Sequence, residues 1–453
     1  MSSSNGGADQ GLPGFREFLP ERQRVRRAVF ARLHEAARRF GFEEYDGPVL
    51  EPLELYTEKS GEEIAGQLFW FEDRGGRAVA LRPEMTPTLA RLAGASASSL
   101  AKPVRWYSLN EQYRFERPQK GRQRAFTQWN LDILGEASPG ADAEVIACLL
   151  AGLRSFGLGE ADLAVRVSDR RVWTRVLELL AVPPERHAGL LGLVDRMDRQ
   201  PEDERKEAAA ALLGASAPEV LGRVAELRTI RGEEDLASFL DSLTADGEAR
   251  EANAALLADW SALRGAVRAL GLDAFVRVDF GIVRGLAYYT GPVFEIFEAS
   301  GTGRALAGGG RYDDLIGRVS GHPLEAVGGA LGDVTLLDLL EERGCLPAAA
   351  RSVDCYLALA AEGARGEALA LAGEVRAAGL SVLYPFRRAN FGKLFKEANR
   401  CGARAVVALG EREVESGVFP VRDMATGREE AVSRADLVTY LGQLSGRSPA
   451  AGP

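Results

Sequence analysis

Apolar residues recur at helical spacing through Val25, Val29, Leu33, Ala36 and Phe40, and the run stops at Gly41. This predicts an amphipathic helix whose other face is rich in arginine. "YDGPVLEPLELY" then reads as an extended segment broken at Pro48 and Pro52. "RAVALRPEMTPTLARLAGASA" reads as a strand turning into a helix near Thr86, with Thr86 placed to cap it. "VRWYSLNEQYRFE" and "AFTQWNLDILGE" both predict strands, and "RPQKGRQR" between them closes a long antiparallel hairpin.

Side chains alternate faces along a strand. Trp129, Leu131 and Ile133 therefore point one way, and Gln128, Asn130 and Asp132 the other. On the preceding strand Gln112, Arg114 and Glu116 share a face. A polar side of this kind is either solvated or lines a site.

From about Val172 to about Leu270 the texture changes to charged, Ala- and Leu-rich helical segments such as "VWTRVLELL". Strand character returns with "FVRVDFGIVRGLAYYTGPVFEIFE", followed by "AGGGRYDDLIGRV" and by "AVGGALGDVTLLDLLEERG", a small-residue strand entering a helix near Asp333. Pro347 to Arg351 reads as a linker. Beyond it strand and helix patterns alternate up to "RADLVTYLGQL", which predicts an α/β domain of about 100 residues.

At 453 residues the chain exceeds one ordinary core, so two or three domains are expected. No apolar run approaches the ~18 residues of a membrane span. "MSSSNGGADQGLPG" lacks a signal pattern and, like "SGRSPAAGP", has the composition of a disordered end. Cys148, Cys345, Cys355 and Cys401 form no CxxC pair, and His34, His187 and His322 are the three histidines. That argues against zinc and a disulfide framework, and for a reducing, cytoplasmic setting with each cysteine a small core residue. The net charge is −9, so any nucleic acid must be met by local basic patches.

One such patch gathers Arg114, Arg117, Lys120, Arg122 and Arg124 around the hairpin loop. A lone basic loop is most simply solvated. Here the charge continues onto both strands, and guanidinium forks suit phosphate, as in a nucleotide or an RNA end. Glu84 in "LRPEMTPT" is a carboxylate that could hold an ammonium group. In "VRGLAYYTG", Gly285 and Gly291 bracket Arg284 and two tyrosines, of which Tyr288 is the better candidate for plain core packing. "AGGGRYDDL" is either a turn or a glycine wall against a flat substrate; it lacks the strand–GxGxxG–helix order of a phosphate cradle.

Together and in this order, these stretches resemble the histidyl-tRNA synthetase family of class II aminoacyl-tRNA synthetases. "YRFERPQKGRQRAFTQ" is similar to its second class-defining motif, "VRGLAYYTGPVFE" to its histidine-specific motif and "LRPEMTPTLAR" to its amino-acid pocket; "AGGGRYDDL" matches too. The likeness runs from about residue 15 to 441. It implies an α+β fold: a class II antiparallel-sheet catalytic core at 15–171 and 271–346, a helical insertion at 172–270, and a C-terminal α/β anticodon-binding domain at 352–443. It further implies a homodimer, ATP with Mg2+, and the partners L-histidine and tRNA(His).

Carried over position by position, the resemblance implies that Arg114 grips the ATP α-phosphate and the substrate carboxylate. Glu84, Thr86 and Gln128 would hold the α-ammonium, and Asp132 and Tyr289 the two imidazole nitrogens. Tyr312 would line the histidine pocket, Arg284 would stabilise charge at the α-phosphate, and Glu116 and Arg122 would position ATP. No residue is implied as a metal ligand. Two positions depart from the pattern. Some members have Glu where Asp132 stands. Thr335 stands where the third motif supplies an Arg to the γ-phosphate, leaving Arg122, Arg124 and magnesium as substitutes. A paralogue of the family serves as a regulatory subunit of ATP phosphoribosyltransferase, but it generally loses the anticodon domain and much of the histidine-specific motif, both of which this chain keeps.

Overall fold

The computed structural model describes residues 11–57, 66–197, 200–244, 247–283, 288–300, 304–349 and 352–446. The expected disordered ends and the Pro347–Arg351 linker lie partly outside these residues; Arg284 and Gly285 lie wholly outside them. The chain divides into two compact units, one holding Arg27–Pro347 with the residues up to Glu17, the other Phe18–Arg26 and the residues from Ala348.

In the first unit the strands are β1 (Glu43–Glu44), β2 (Leu50–Pro52), β3 (Trp70–Glu72), β4 (Ala78–Leu81), β5 (Val104–Tyr113), β6 (Ala125–Leu134), β7 (Leu163–Asp169), β8 (Val276–Val278), β9 (Pro292–Glu298), β10 (Ala307–Arg311) and β11 (Ala326–Gly332). Eight of them form one sheet in the order β1-β5-β6-β11-β10-β9-β7-β8. Its centre is antiparallel; the two outermost pairs, β1 with β5 and β7 with β8, are parallel. A small antiparallel sheet, β2-β4-β3, carries the segment that leads to Glu84.

The alternation read along β6 places its two faces as expected. Trp129, Leu131 and Ile133 are buried in the main hydrophobic core. The helix Pro139–Arg154 packs there too, with apolar residues around most of its circumference, as a fully covered helix requires. Gly152 on that helix lets the Trp129 ring approach: a Cβ there would stand 2.6 Å from Trp129 Cζ3. Burying the ring contributes roughly 4–6 kcal/mol. Helices between Arg170 and Ala269 share this core through residues such as Trp173, Leu190, Val224, Leu240 and Trp260.

The second unit is built on a five-stranded sheet, with β12 (Val353–Leu359), β13 (Val382–Leu383), β14 (Ala403–Leu409), β15 (Val418–Asp423) and β16 (Glu429–Ser433) in the order β13-β12-β14-β15-β16. Alternate residues of β12 enter opposite cores. Cys355, Leu357 and Leu359 pack with helices Arg365–Ala377 and Leu437–Leu444, while Tyr356 and Ala358 pack with helix Phe391–Arg400. Both faces of the parallel strands are thus covered. Cys148, Cys355 and Cys401 are buried, whereas Cys345 is only half-buried.

Candidate active site

Two clusters lie along the polar face of β6. The first surrounds Asp132. Its side chain is buried, and it accepts a hydrogen bond from the buried Tyr312 hydroxyl. Register explains the room it occupies: Asp132 pairs with Gly328 of β11, and a Cβ at Gly328 would stand 2.0 Å from Asp132 Oδ1. Burial pushes the Asp132 carboxyl up to about 7, against the Tyr312 hydrogen bond, which lowers it. Tyr312 is in turn raised by burial and by the nearby Asp132 charge.

Tyr312 packs edge-on against Tyr288 at 5.9 Å between ring centroids, and Tyr288 lies 5.0 Å from the Tyr289 ring. Tyr288 also donates its hydroxyl to Glu84 Oε2 at 3.2 Å, with both groups buried. The plain-packing reading of Tyr288 therefore misses half of its role. Glu84 and Asp132 become the two carboxylates of one tyrosine-walled cluster. Thr86 is half-buried at the first turn of helix Thr86–Ser96. It does not cap that helix: Met85 occupies the cap position, without a side-chain bond. Arg82, which the sequence did not single out, is 3% exposed and ties the segment down. It donates to the Glu111 and Gly47 carbonyls at 2.9 and 2.7 Å and to Asp46 at 3.0 Å.

Arg311 fixes the strand that carries Tyr312. Its buried guanidinium bonds Asp142 and reaches the carbonyls of Glu136 and Ser138 at 3.0 and 3.1 Å. "AGGGR" is thus not a turn but the central strand β10, of which Ala307 and Gly308 line the wall of a cleft and Gly309 is demanded by close packing. A Cβ at Gly309 would meet the Gly328 carbonyl oxygen at 2.1 Å.

The second cluster begins four residues back along β6, at Gln128, roughly 14 Å away at ~3.4 Å per residue. Gln128 lines an open cleft with Arg114, Glu116, Arg122 and Phe126, floored by small residues of β10 and β11. Arg114 Nε donates to the Pro83 carbonyl at 2.9 Å, beside Glu84, and its guanidinium lies 5.3 Å from the Phe126 centroid. Arg122 Nε and Glu116 pair with each other at 2.7 Å. Arg124 serves elsewhere: its Nε donates to the Glu116 carbonyl at 3.0 Å and it covers the Phe115 ring. Thr335 forms part of the cleft wall, its hydroxyl directed to the Gly332 carbonyl at 3.4 Å.

The chain that carries this polar strand face is similar to known proteins. A family model described as "Histidyl-tRNA synthetase" matches residues 14–335. The chain belongs to the histidyl-tRNA synthetase family. A second model, "Anticodon binding domain", matches residues 354–444. The chain is 46% identical to the histidine--tRNA ligase of Opitutus terrae, over 94% of this chain and 97% of that protein. It is 35% identical to the chloroplastic/mitochondrial histidine--tRNA ligase of Arabidopsis thaliana, over 94% and 85%. Its fold is that of the crystal structure of histidyl-tRNA synthetase from Nostoc sp. PCC 7120, with a TM-score of 0.74, 22% identity, and coverage of 96% and 99%. The family model thus spans both clusters on β6 and the helices that follow it.

The second unit, which matches the anticodon-binding model, carries exposed basic and aromatic residues close together in the chain. Phe386 is 83% exposed and packs edge-on against Tyr384 at 5.9 Å. Arg365 holds the Phe386 carbonyl at 3.0 Å, and Arg387, Arg388, Lys393 and Lys396 are exposed nearby in sequence.

Proposed function

We propose that this protein is a histidine–tRNA ligase, which activates L-histidine with ATP to histidyl-adenylate and transfers the histidyl group to tRNA(His). The observation that carries the reading is the arrangement on β6. A buried carboxylate–tyrosine pair suited to an imidazole stands at Asp132, and a guanidinium-lined cleft suited to phosphates opens at Gln128. Family membership and the 46% identity to a histidine--tRNA ligase support it.

In this reading Asp132 and Tyr289 each hold one imidazole nitrogen, and Tyr312 orients the Asp132 carboxylate. Glu84, Thr86 and Gln128 take the α-ammonium. Arg114 holds the substrate carboxylate against the α-phosphate, and Glu116 and Arg122 position the rest of ATP. Arg284, outside the described residues, stabilises charge at the α-phosphorus. A histidine carboxylate oxygen attacks that phosphorus, the bond to the bridging oxygen of the β-phosphate breaks, and pyrophosphate leaves. A ribose hydroxyl of tRNA then attacks the carbonyl carbon and AMP leaves. The protein's part is positioning and charge stabilisation. A site with a partner for each ring nitrogen discriminates against analogues lacking one, by about 10⁴-fold.

In this reading ATP would come with bound Mg2+, whose charge would offset that of the phosphates. A cation of this kind would be held mainly by substrate oxygens and water. The reading extends to a cytoplasmic homodimer whose exposed basic and aromatic residues on the second unit meet the anticodon. None of the described helices is long and apolar enough to cross a membrane.

The test is histidine-dependent ATP–pyrophosphate exchange by the purified protein, followed by charging of tRNA(His). Both activities are expected. Folded protein that binds histidine yet shows no exchange at saturating ATP and magnesium would be a histidine sensor instead.

A further inference from the structure

The guanidinium-lined cleft has a back as well as a front. Along β6 it is lined by Phe126 and Gln128, and at the end of β11 by Gly332, Val334 and Thr335. The residues set between these, Thr127 and Asp333, are buried and bonded to each other: the Thr127 N–H donates to Asp333 Oδ1 at 2.9 Å. The last pair of the β6–β11 ladder is Gln128 with Gly332. One position beyond it the chain enters helix Asp333–Glu342, and the Asp333 side chain ties that entry to β6.

A third segment joins them there. Arg16 Nη2 donates to both oxygens of Asp333, at 2.7 and 2.8 Å, across 317 positions of chain. The Asp333 side chain is 2% exposed and that of Arg16 21%, so the pair is shielded from the solvent that weakens surface ion pairs. The same N-terminal segment also reaches the base of the hairpin loop. The Gly14 carbonyl accepts the N–H groups of Arg124 and Ala125 at 2.9 and 3.1 Å. Gly14 has φ +85, and a Cβ there would stand 2.8 Å from Arg124 Cγ, so the close approach requires glycine. Gly14 thus holds the loop that carries Glu116 and Arg122, while Arg16 holds the start of the helix that carries Thr335. Asp132, at the amino-acid end, lies five residues beyond Thr127 on β6, roughly 17 Å away at ~3.4 Å per residue.

We propose that Arg16 is a positioning residue for ATP, clamping the walls of the cleft from behind through Asp333. The proposal rests on the ligase reading above. Contacts to a bound phosphate chain weaken when a wall shifts by a fraction of an ångström, so a site on the surface of a sheet needs support from the far side. β6 is paired on both sides, with β5 and β11, and keeps Gln128 and Asp132 in place without Arg16. What Arg16 holds is the helix entry with Val334 and Thr335, and, through its own segment, the loop base with Glu116 and Arg122. In the ligase reading these groups meet ATP, not histidine.

The experiment uses full-length Arg16→Ala, Arg16→Lys, and the double variant Arg16→Ala with Asp333→Asn. Exchange is measured with ATP and histidine varied in turn, and thermal unfolding is followed on the same samples. Arg16→Ala is expected to raise KM for ATP about tenfold, with KM for histidine within about twofold of wild type. It should also lower the unfolding temperature, because it leaves the Asp333 carboxylate buried without its cation. Arg16→Lys, which keeps the charge, should recover part of both losses. The double variant removes the stranded charge yet leaves the clamp untied, so its unfolding temperature should return toward wild type while KM for ATP stays raised. Three results overturn the assignment. One is a KM for ATP within about twofold of wild type in Arg16→Ala. Another is an equal rise of KM for both substrates. The third is recovery of KM and unfolding temperature together in the double variant, which would mean that the pair only holds the fold. Absence of exchange in the wild-type protein is a different result: it removes the ligase reading, and this proposal with it.

Discussion

The Tyr312 hydroxyl donates to the buried Asp132 carboxylate across 180 positions of chain, and both side chains are almost fully shielded from water. The bond joins β6 to the end of β10, two strands that do not pair with each other because β11 lies between them. It aims a carboxylate that glycine at position 328 leaves room to hold.

This pair has a pH signature. Burial raises the Asp132 carboxyl from an ordinary value of 3.8 to about 7. A raised carboxyl favours the protonated folded form. Its contribution to stability is therefore fully present below about pH 4 and is lost as pH rises through about 7. Without histidine, the stability of Asp132→Asn relative to wild type should increase by on the order of 2–3 kcal/mol between pH 5 and pH 8. Urea unfolding at the two pH values measures this, and a pH-independent difference would count against it. The same variant should lose about 10²-fold in kcat/KM for histidine, having lost a charged acceptor.

Gly328→Ala should damage the same site without replacing any titratable group. The new Cβ would stand 2.0 Å from Asp132 Oδ1 and 3.0 Å from the Leu131 carbonyl oxygen, so the carboxylate must move. We expect about 1–3 kcal/mol of destabilisation and a histidine KM raised about tenfold, with the KM for ATP little changed. Thermal unfolding and exchange kinetics read the two effects separately. A variant with normal histidine KM would show that Asp132 tolerates displacement.

Tyr288→Phe keeps the ring contacts with Tyr289 and Tyr312 but removes the 3.2 Å bond to Glu84. One hydrogen bond of this kind is worth about 1 kcal/mol. Histidine affinity should fall roughly fivefold, with little change in unfolding temperature. Equilibrium binding of histidine decides it; an unchanged dissociation constant would return Tyr288 to a packing role.

On the second unit, Phe386→Ala combined with Arg388→Ala should weaken tRNA use and spare the histidine–ATP step. A stacked base is worth about 1–3 kcal/mol, and phosphate contacts make binding fall with salt. The KM for tRNA should rise at least tenfold, with a shallower salt dependence, while exchange stays at the wild-type rate. Charging at the wild-type tRNA KM would move the RNA contact to another face.

Much of this site was legible because strands write their faces into the sequence with period two. Gln128 and Asp132 stood out as polar residues on a strand whose other side was Trp129, Leu131 and Ile133, and the loop that bears Arg122 was bracketed by two readable strands. What failed to show was partnership. Tyr288 reads as core from its neighbours and Arg82 as a strand end. Their roles come from Glu84 and Asp46, which lie 204 and 36 positions away in the chain.

The sequence by itself determined the local elements, the two-sided hairpin, the separate C-terminal α/β region and the residue types available for chemistry. Those follow from periodicity, turn residues and side-chain donors, all properties of neighbouring positions. Tertiary structure alone decided that β11 lies between β6 and β10, so that Gly328 faces Asp132 while Tyr312 reaches over to it. It also decided that Asp333 meets Thr127 and Arg16 behind one cleft. Register between distant strands is selected by packing of the whole core, and the free energy that selects it is spread over many contacts, none of them visible in a local window.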